Sequence, residues 1–285
     1  VKDEPPVSAF VRLHESGPVH RFAHEAMATI FEVHAAHEDE AYARQAAHAV
    51  FALVDRLEQD LSRFVPNSDV SRVNVLAAGQ VARVSPATME CLVIAWHMYE
   101  LTEGAFDVTL GSGLHELELD PDELTVHARS SGVRLDLGGI GKGFAVDRAA
   151  ALLEEWGVDR ALVHGGWSSV LALEAPPGRA GWSLALRRPP ELRGDDAAPL
   201  VARVDARQLA LSASGTRKGD HILDPRTGAP AGERAVWVAL PRSAAEWRHE
   251  AAVAEGLSTA LMVLPRERME ALCQEHPGLL AWQVP

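Results

Sequence analysis

The chain has 285 residues, enough for one large domain or two intimately packed ones with a substantial buried core. Its 27 basic residues against 40 acidic ones leave a net charge of −13, which argues against a nucleic-acid backbone or an anionic membrane as the main partner. Two cysteines, Cys91 and Cys273, exclude a disulfide framework and a cysteine zinc cage, and Glu90, His97 and Glu100 interrupt the most apolar segment before it is long enough to span a bilayer.

The opening VKDEPPVSAF is polar and proline-bearing, so residues 1–20 are expected to be an extended tail ahead of a single domain, 21–285. Val1 in place of Met is compatible with a processed N-terminus, which leaves the compartment open. Phe22 to His34 reads as a strand around Ile30, Phe31 and Val33. From Glu38 onward Val50, Leu53, Val54, Leu57 and Leu61 recur at helical spacing, predicting an amphipathic helix that ends near Phe64 and Pro66. A second helix is punctuated at both ends, with Ser85 as N-cap, Pro86 in the first turn and Gly104 as the stop.

Beyond the loop GAFDVTLGSG come short strands at Leu124 to His127 and Val133 to Leu137, then the glycine turn GGIGKG and a helix from Phe144 to Trp156. Strands are expected at Ala161 to Val163, Val170 to Leu173, Trp182 to Leu186, Leu200 to Val204 and Leu209 to Leu211. Helices at Glu250 to Val263 and Arg266 to Glu275 and a strand at Leu279 to Val284 close the chain. This irregular interleaving predicts an α+β protein with a mixed or antiparallel sheet and packed helices rather than a regular βαβ winding.

Three segments carry chemistry. In LDLGGIGKGFAVD, residues 135–147, four glycines let backbone approach a ligand closely, the helix N-terminus attracts an anion, and Lys142 adds a mobile positive charge; phosphate is the natural ligand. A glycine-rich turn with a surface lysine has the same composition, and neither the Rossmann nor the Walker spacing is present. In GDHILDPRTGAP, residues 219–230, His221 offers an imidazole, a group able to take a proton from a hydroxyl nucleophile, and has Asp220 and Asp224 close by in sequence to orient it, although a proline-started turn accounts equally for DPRTG. In AEGLSTALMVL, residues 254–264, Glu255, Ser258 and Thr259 stand at i, i+3 and i+4 on one helix face, a hard-oxygen set suited to Mg²⁺ or Ca²⁺ once a backbone carbonyl and ligand phosphates complete it.

Together and in order, these segments resemble the ApbE family of FAD:protein FMN transferases. The matching stretches are AMATIFEV (26–33), LSRFVPNSDVSRVN (61–74), GAFDVTLG (104–111), LDLGGIGKGFAVD (135–147), ALVHGG (161–166), HILDPRTG (221–228) and EGLSTALMVL (255–264), which between them reach across most of the chain. The resemblance implies an ApbE-type fold and a magnesium-dependent enzyme that moves the FMN moiety of FAD onto a threonine or serine hydroxyl of an acceptor flavoprotein, forming a phosphodiester and releasing AMP.

Carried over by position, it implies FAD contacts at Met27, Phe64, Ala105, Phe106, Asp107, Asp136, Lys142 and Leu223. It implies metal ligands at Glu255, Ser258, Thr259 and the backbone carbonyl of Gly139, and a catalytic role for His221. It also implies a periplasmic or membrane-anchored location where a signal has been removed, and a cytoplasmic one otherwise. The sequence departs from the family pattern at Glu255, where Asp is usual, at Ala28 and Trp167, and in a short connection after Gly113. Hydrolysis of FAD to FMN and AMP, or flavin or partner binding without catalysis, are the alternative outcomes for the same pocket.

Overall fold

The computed structural model describes residues 19–166, 168–187, 200–215, 222–232, 234–242 and 247–284. The expected strand at Phe22 to His34 is in fact a hairpin. β1 (His20–Ala26) pairs antiparallel with β2 (Thr29–Ala35), Ala26 facing Thr29, so Met27 and Ala28 alone make the turn, at φ 50° and 55°. Left-handed backbone at both central positions is normally signalled by Asn-Gly, and neither residue carries that signal.

α1 (Glu40–Leu61) follows the expected periodicity: Ala43, Ala46, Ala47, Val50, Val54, Leu57 and Leu61 are buried, and the Asp39 side chain caps the helix by accepting from Tyr42 N–H at 3.0 Å. Burying a valine or leucine of that stripe stabilises by roughly 1.5–3 kcal/mol relative to exposure. A short α2 (Asp69–Val73) and β3 (Val81–Arg83) precede α3 (Pro86–Leu101), which starts at Ser85 with its hydroxyl accepting from Thr88 N–H at 3.2 Å. β4 (Leu117–Asp120) and β5 (Thr125–Ala128) join β3 in a small antiparallel sheet ordered β3-β5-β4.

Val133 to Leu137 is not a strand. The side-chain amide of Asn74 donates to the Leu135 carbonyl at 3.0 Å and its oxygen accepts from Leu135 N–H, so one side chain satisfies both backbone groups that a neighbouring strand would otherwise pair. Residues 137–139 form a 3₁₀ turn, and α4 (Gly141–Glu155) begins inside the glycine turn, three residues before Phe144.

The rest of the chain builds β6 (Ala161–Gly165), β7 (Ser169–Ala172), β8 (Trp182–Arg187), β9 (Leu200–Ala206), β10 (Leu209–Gly215) and β11 (Ala235–Pro241), then α5 (Glu250–Ala260), α6 (Arg266–Glu275) and β12 (Leu280–Val284). The sequence reading assigned no strand over 235–241, because AVWVALP is apolar on both faces and lacks the alternation of a half-buried strand. The main sheet has seven strands ordered β1-β2-β6-β7-β10-β11-β12, and every described pairing is antiparallel.

One face of this sheet carries Phe31, Val33, Val163, Leu171, Val236 and Val238, which share a core with α1, α3, α4 and α5. The opposite face carries Leu162, Val170, Leu211 and Trp237, packed against Trp182, Leu184 and Leu186 of the β8-β9 hairpin. Register brings the β1-β2 turn, Gly165 of β6, Ser169 of β7 and Ser212 of β10 to one end of the sheet.

Candidate functional site

The centre of the site is the crossing of α4 and α5 at their N-terminal halves. A Cβ on Gly143 would lie 2.3 Å from the Ala251 carbonyl oxygen and 2.8 Å from Ala252 Cα, so only glycine permits this backbone approach. The two helices then exchange caps. Asp147 of α4 accepts from Ala251 and Ala252 N–H at 2.9 and 2.8 Å, while Glu255 of α5 accepts from Gly143 N–H at 2.6 Å and from the Lys142 ammonium. Burial pushes the Asp147 carboxyl up to about 8, against the pull of those two α5 donors. Lys142 Nζ also donates to the Gly138 carbonyl at 3.1 Å, closing the glycine turn over Glu255. The anion position expected at this helix N-terminus is therefore occupied by a carboxylate of the protein itself.

Glu255 in turn leads to a layer of hydroxyls. Ser258 and Thr259 both donate to the Glu255 carbonyl, at 2.9 and 3.1 Å. Ser258 is fully buried, with its Oγ 2.9 Å from Ser214 Oγ and 3.3 Å from Ser212 Oγ, and Ser212 donates to the Ser168 carbonyl at 2.9 Å. Thr259 is half-buried, and its Oγ1 would be 3.7 Å from a Cβ on Gly139. The same Cβ would lie 3.2 Å from the Phe106 ring, so the glycine turn, the GAFD loop and the late helix converge on Gly139. Ser212 and Ser214 were not foreseen. Their only trace in the sequence is the alternation LALSASG, which puts Ala210, Ser212 and Ser214 on one face of β10.

Asp136 caps the 3₁₀ turn by accepting from Gly138 N–H at 2.9 Å and pairs with Arg63 Nε at 2.9 Å. The Arg63 guanidinium lies 4.3 Å from the centroid of the Phe64 ring, which is 78% exposed and free to stack on a planar ligand. Arg63 is a third residue, after Ser212 and Ser214, that the sequence did not single out. Ala105 and Phe106 are buried, Phe106 with its ring against Gly139 and Gly256 rather than turned to solvent. The Asp107 carboxylate accepts from Thr109 N–H and hydroxyl, both at 2.7 Å, and from Gly111 N–H at 3.0 Å, so it shapes its own loop.

Gly111, at φ 83°, would place a Cβ 2.5 Å from the Pro225 carbonyl oxygen, which shows how closely the GAFD loop approaches the DPRTG loop. In the latter, Leu223 bridges Pro230 and is half-exposed. Met27 sits in the β1-β2 turn at the sheet end that also carries Ser212. His221 and Trp167 lie outside the described residues.

A family model described as the ApbE family matches residues 27–282. The chain belongs to the ApbE family. It is 29% identical over 298 residues to a FAD:protein FMN transferase of Treponema pallidum (strain Nichols), the match covering 87% of this chain and 76% of that protein. With a FAD:protein FMN transferase of Klebsiella pneumoniae (strain 342) it shares 26% identity, covering 90% and 82%. Among solved structures it is similar to the apo form of the Pseudomonas stutzeri flavinyl transferase ApbE, with TM-score 0.77, 26% identity and coverage of 92% and 89%. The ApbE protein of Thermotoga maritima shares the fold at TM-score 0.78 and 22% identity, covering 92% and 93%. The ApbE fold is thus α+β with an antiparallel main sheet in this chain too.

Proposed function

We propose that this ApbE-family chain transfers the FMN moiety of FAD to a threonine or serine hydroxyl of an acceptor protein and releases AMP. The observation that carries the reading is the convergence of Lys142, Glu255, Thr259 and Gly139, supported by relatives named for that activity. In the reaction the acceptor hydroxyl oxygen attacks the FMN-side phosphorus of the FAD diphosphate. The bond from that phosphorus to the bridging oxygen breaks, AMP leaves with that oxygen, and the hydroxyl proton passes to a base, the role assigned to His221.

The donor set fits a hard divalent cation. Glu255 supplies a carboxylate, Thr259 a hydroxyl and Gly139 a peptide carbonyl, all oxygen and without imidazole or thiolate. Ser258, locked among Ser212, Ser214 and the Glu255 carbonyl, positions the helix face more than it offers a ligand atom. Magnesium bound to this set supplies charge neutralisation for a diphosphate that a protein of net charge −13 otherwise repels. Lys142 is placed to trade Glu255 for a phosphate oxygen, and Asp136 with Arg63 steadies the glycine turn beneath the ligand. Phe64 offers an exposed face for the isoalloxazine or adenine ring, with Met27, Ala105, Phe106, Asp107 and Leu223 completing the proposed FAD pocket.

The test is acceptor-dependent release of AMP from FAD with Mg²⁺, together with covalent flavin on the acceptor. AMP release that needs no acceptor would instead establish FAD hydrolysis, and FAD binding with no AMP would establish a binding protein.

A further inference from the structure

The sheet face turned away from α4 and α5 carries a second cluster that the transfer chemistry does not use. On β2, Glu32 and His34 are two residues apart and share that face, and on β6 His164 stands directly opposite Glu32 in the antiparallel register. His34 Nε2 is 3.0 Å and His164 Nε2 3.1 Å from the same carboxylate oxygen, Glu32 Oε2. All three ligand atoms lie within 4.8 Å of one another, and none of the three residues is more than 2% exposed. From β1, Arg21 adds a two-pronged pairing, Nε to Oε2 at 2.8 Å and Nη2 to Oε1 at 2.5 Å, which fixes the plane of the carboxylate.

We propose that Glu32, His34 and His164 form a second divalent-metal site, of the zinc type, that ties β2 to β6 on the face of the sheet opposite the flavin site. Two imidazoles and one carboxylate are a borderline-soft donor set that favours zinc over magnesium, whereas the Glu255 and Thr259 oxygens have the opposite preference. In a tetrahedral zinc centre with bonds of about 2.0–2.1 Å, neighbouring ligand atoms sit about 3.3 Å apart, close to the 3.0 and 3.1 Å that separate the two Nε2 atoms from Glu32 Oε2. The ligands ride on paired strands of the main sheet, so their spacing is held before any ion arrives. Arg21 orients the ligating carboxylate from outside, as outer partners of metal ligands commonly do. On metal binding the proton that each Nε2 donates to Glu32 leaves that nitrogen, moving to Nδ1 in a neutral ring, and the freed Nε2 lone pair turns to the ion in place of the hydrogen bond to Glu32.

The full chain, stripped with chelator and dialysed, is titrated with Co²⁺ and with Zn²⁺. One equivalent of Co²⁺ is expected to give the intense visible bands of a tetrahedral site, and one equivalent of Zn²⁺ to bleach them and raise Tm. Those bands are expected to vanish in His34→Ala and Glu32→Gln and to persist in Glu255→Gln. His164→Cys retains a ligand and is expected to add a thiolate-to-cobalt charge-transfer band, which keeps the test decisive if the deletions do not fold. A wild-type chain that takes up no stoichiometric Co²⁺ or Zn²⁺ overturns the proposal and leaves the cluster a hydrogen-bonded ion network. Bands that survive in His34→Ala, or a His164→Cys spectrum without sulfur character, overturn it as well.

Discussion

Asp147 and Glu255 cap each other's helices: the α4 aspartate accepts the first N–H groups of α5, and the α5 glutamate accepts Gly143 N–H at the start of α4. Each carboxyl group faces the N-terminal end of the neighbouring helix and accepts from N–H groups that have no partner within their own helix. The glycine turn and the late helix are therefore held as one unit, and any change at one end is transmitted to the other through a hydrogen bond rather than a loop.

Glu255→Gln removes the charge that pairs with Lys142 and weakens the cap on α4. Destabilisation of about 1–3 kcal/mol is expected by urea denaturation, since a largely shielded ammonium loses its counter-charge. On the proposed function, FAD affinity also becomes insensitive to magnesium. Calorimetric titration with and without chelator reads this out, and a full magnesium effect retained in the variant would count against Glu255 as a ligand.

Two glycines of the same turn are expected to respond with opposite sign. Gly143→Ala forces a methyl into the Ala251 peptide, with a cost of about 1–3 kcal/mol or more and partial opening of the α4-α5 crossing. At Gly141 the added methyl meets only Leu137 Cβ, at 3.9 Å, so Gly141→Ala gains helix propensity and is expected to be neutral or stabilising by up to about 1 kcal/mol. Paired thermal melts decide it; equal Tm values for the two variants would contradict the close-approach argument.

His221→Ala, on the proposed proton-acceptor role, is expected to lower the transfer rate by about 10²–10⁴ while leaving the FAD dissociation constant nearly unchanged. Single-turnover AMP release and equilibrium FAD binding separate the two effects. Wild-type transfer by the variant would remove His221 from the chemistry.

Asp69 sets the acid limit of the α2-α3 corner. Burial acts to raise its carboxyl, but hydrogen bonds from Ser85 N–H at 2.7 Å and Thr88 Oγ1 at 2.8 Å, with Arg72 beside it, outweigh burial and hold it below the ordinary carboxylate range. A depressed folded pKa means stability that is present above the unfolded value of about 3.9 and lost as pH falls through the folded value. The stability difference between wild type and Asp69→Asn is therefore expected to be largest near neutrality and to shrink below about pH 4. Urea midpoints measured across that range test it, and a difference that grows on acidification would refute the assignment.

Much of the fold was legible because its signals are local. The stripe from Val50 to Leu61, the Ser85-Pro86 start of α3 and the Gly104 stop each lie within a few residues of what they specify, and the structure repeats them. Signals that depend on partners were misread. The Met27-Ala28 hairpin lacks its usual glycine, Leu135 is paired by Asn74 from 61 residues away, and Ala235–Pro241 is apolar on both faces because both are covered.

The site divides along the same line. By itself the sequence determined the family, the oxygen-donor face of Glu255, Ser258 and Thr259, and the glycine turn carrying Lys142, because order along the chain and helical spacing encode them. Only the tertiary structure decided that Glu255 occupies the α4 N-terminus, 112 residues back in the chain, that Ser212 and Ser214 back Ser258, and that Glu32 meets His164 across 132 residues. Such pairs are set by strand register and by how closely two helices can cross, quantities that depend on the packing of the whole core rather than on any local run of residues.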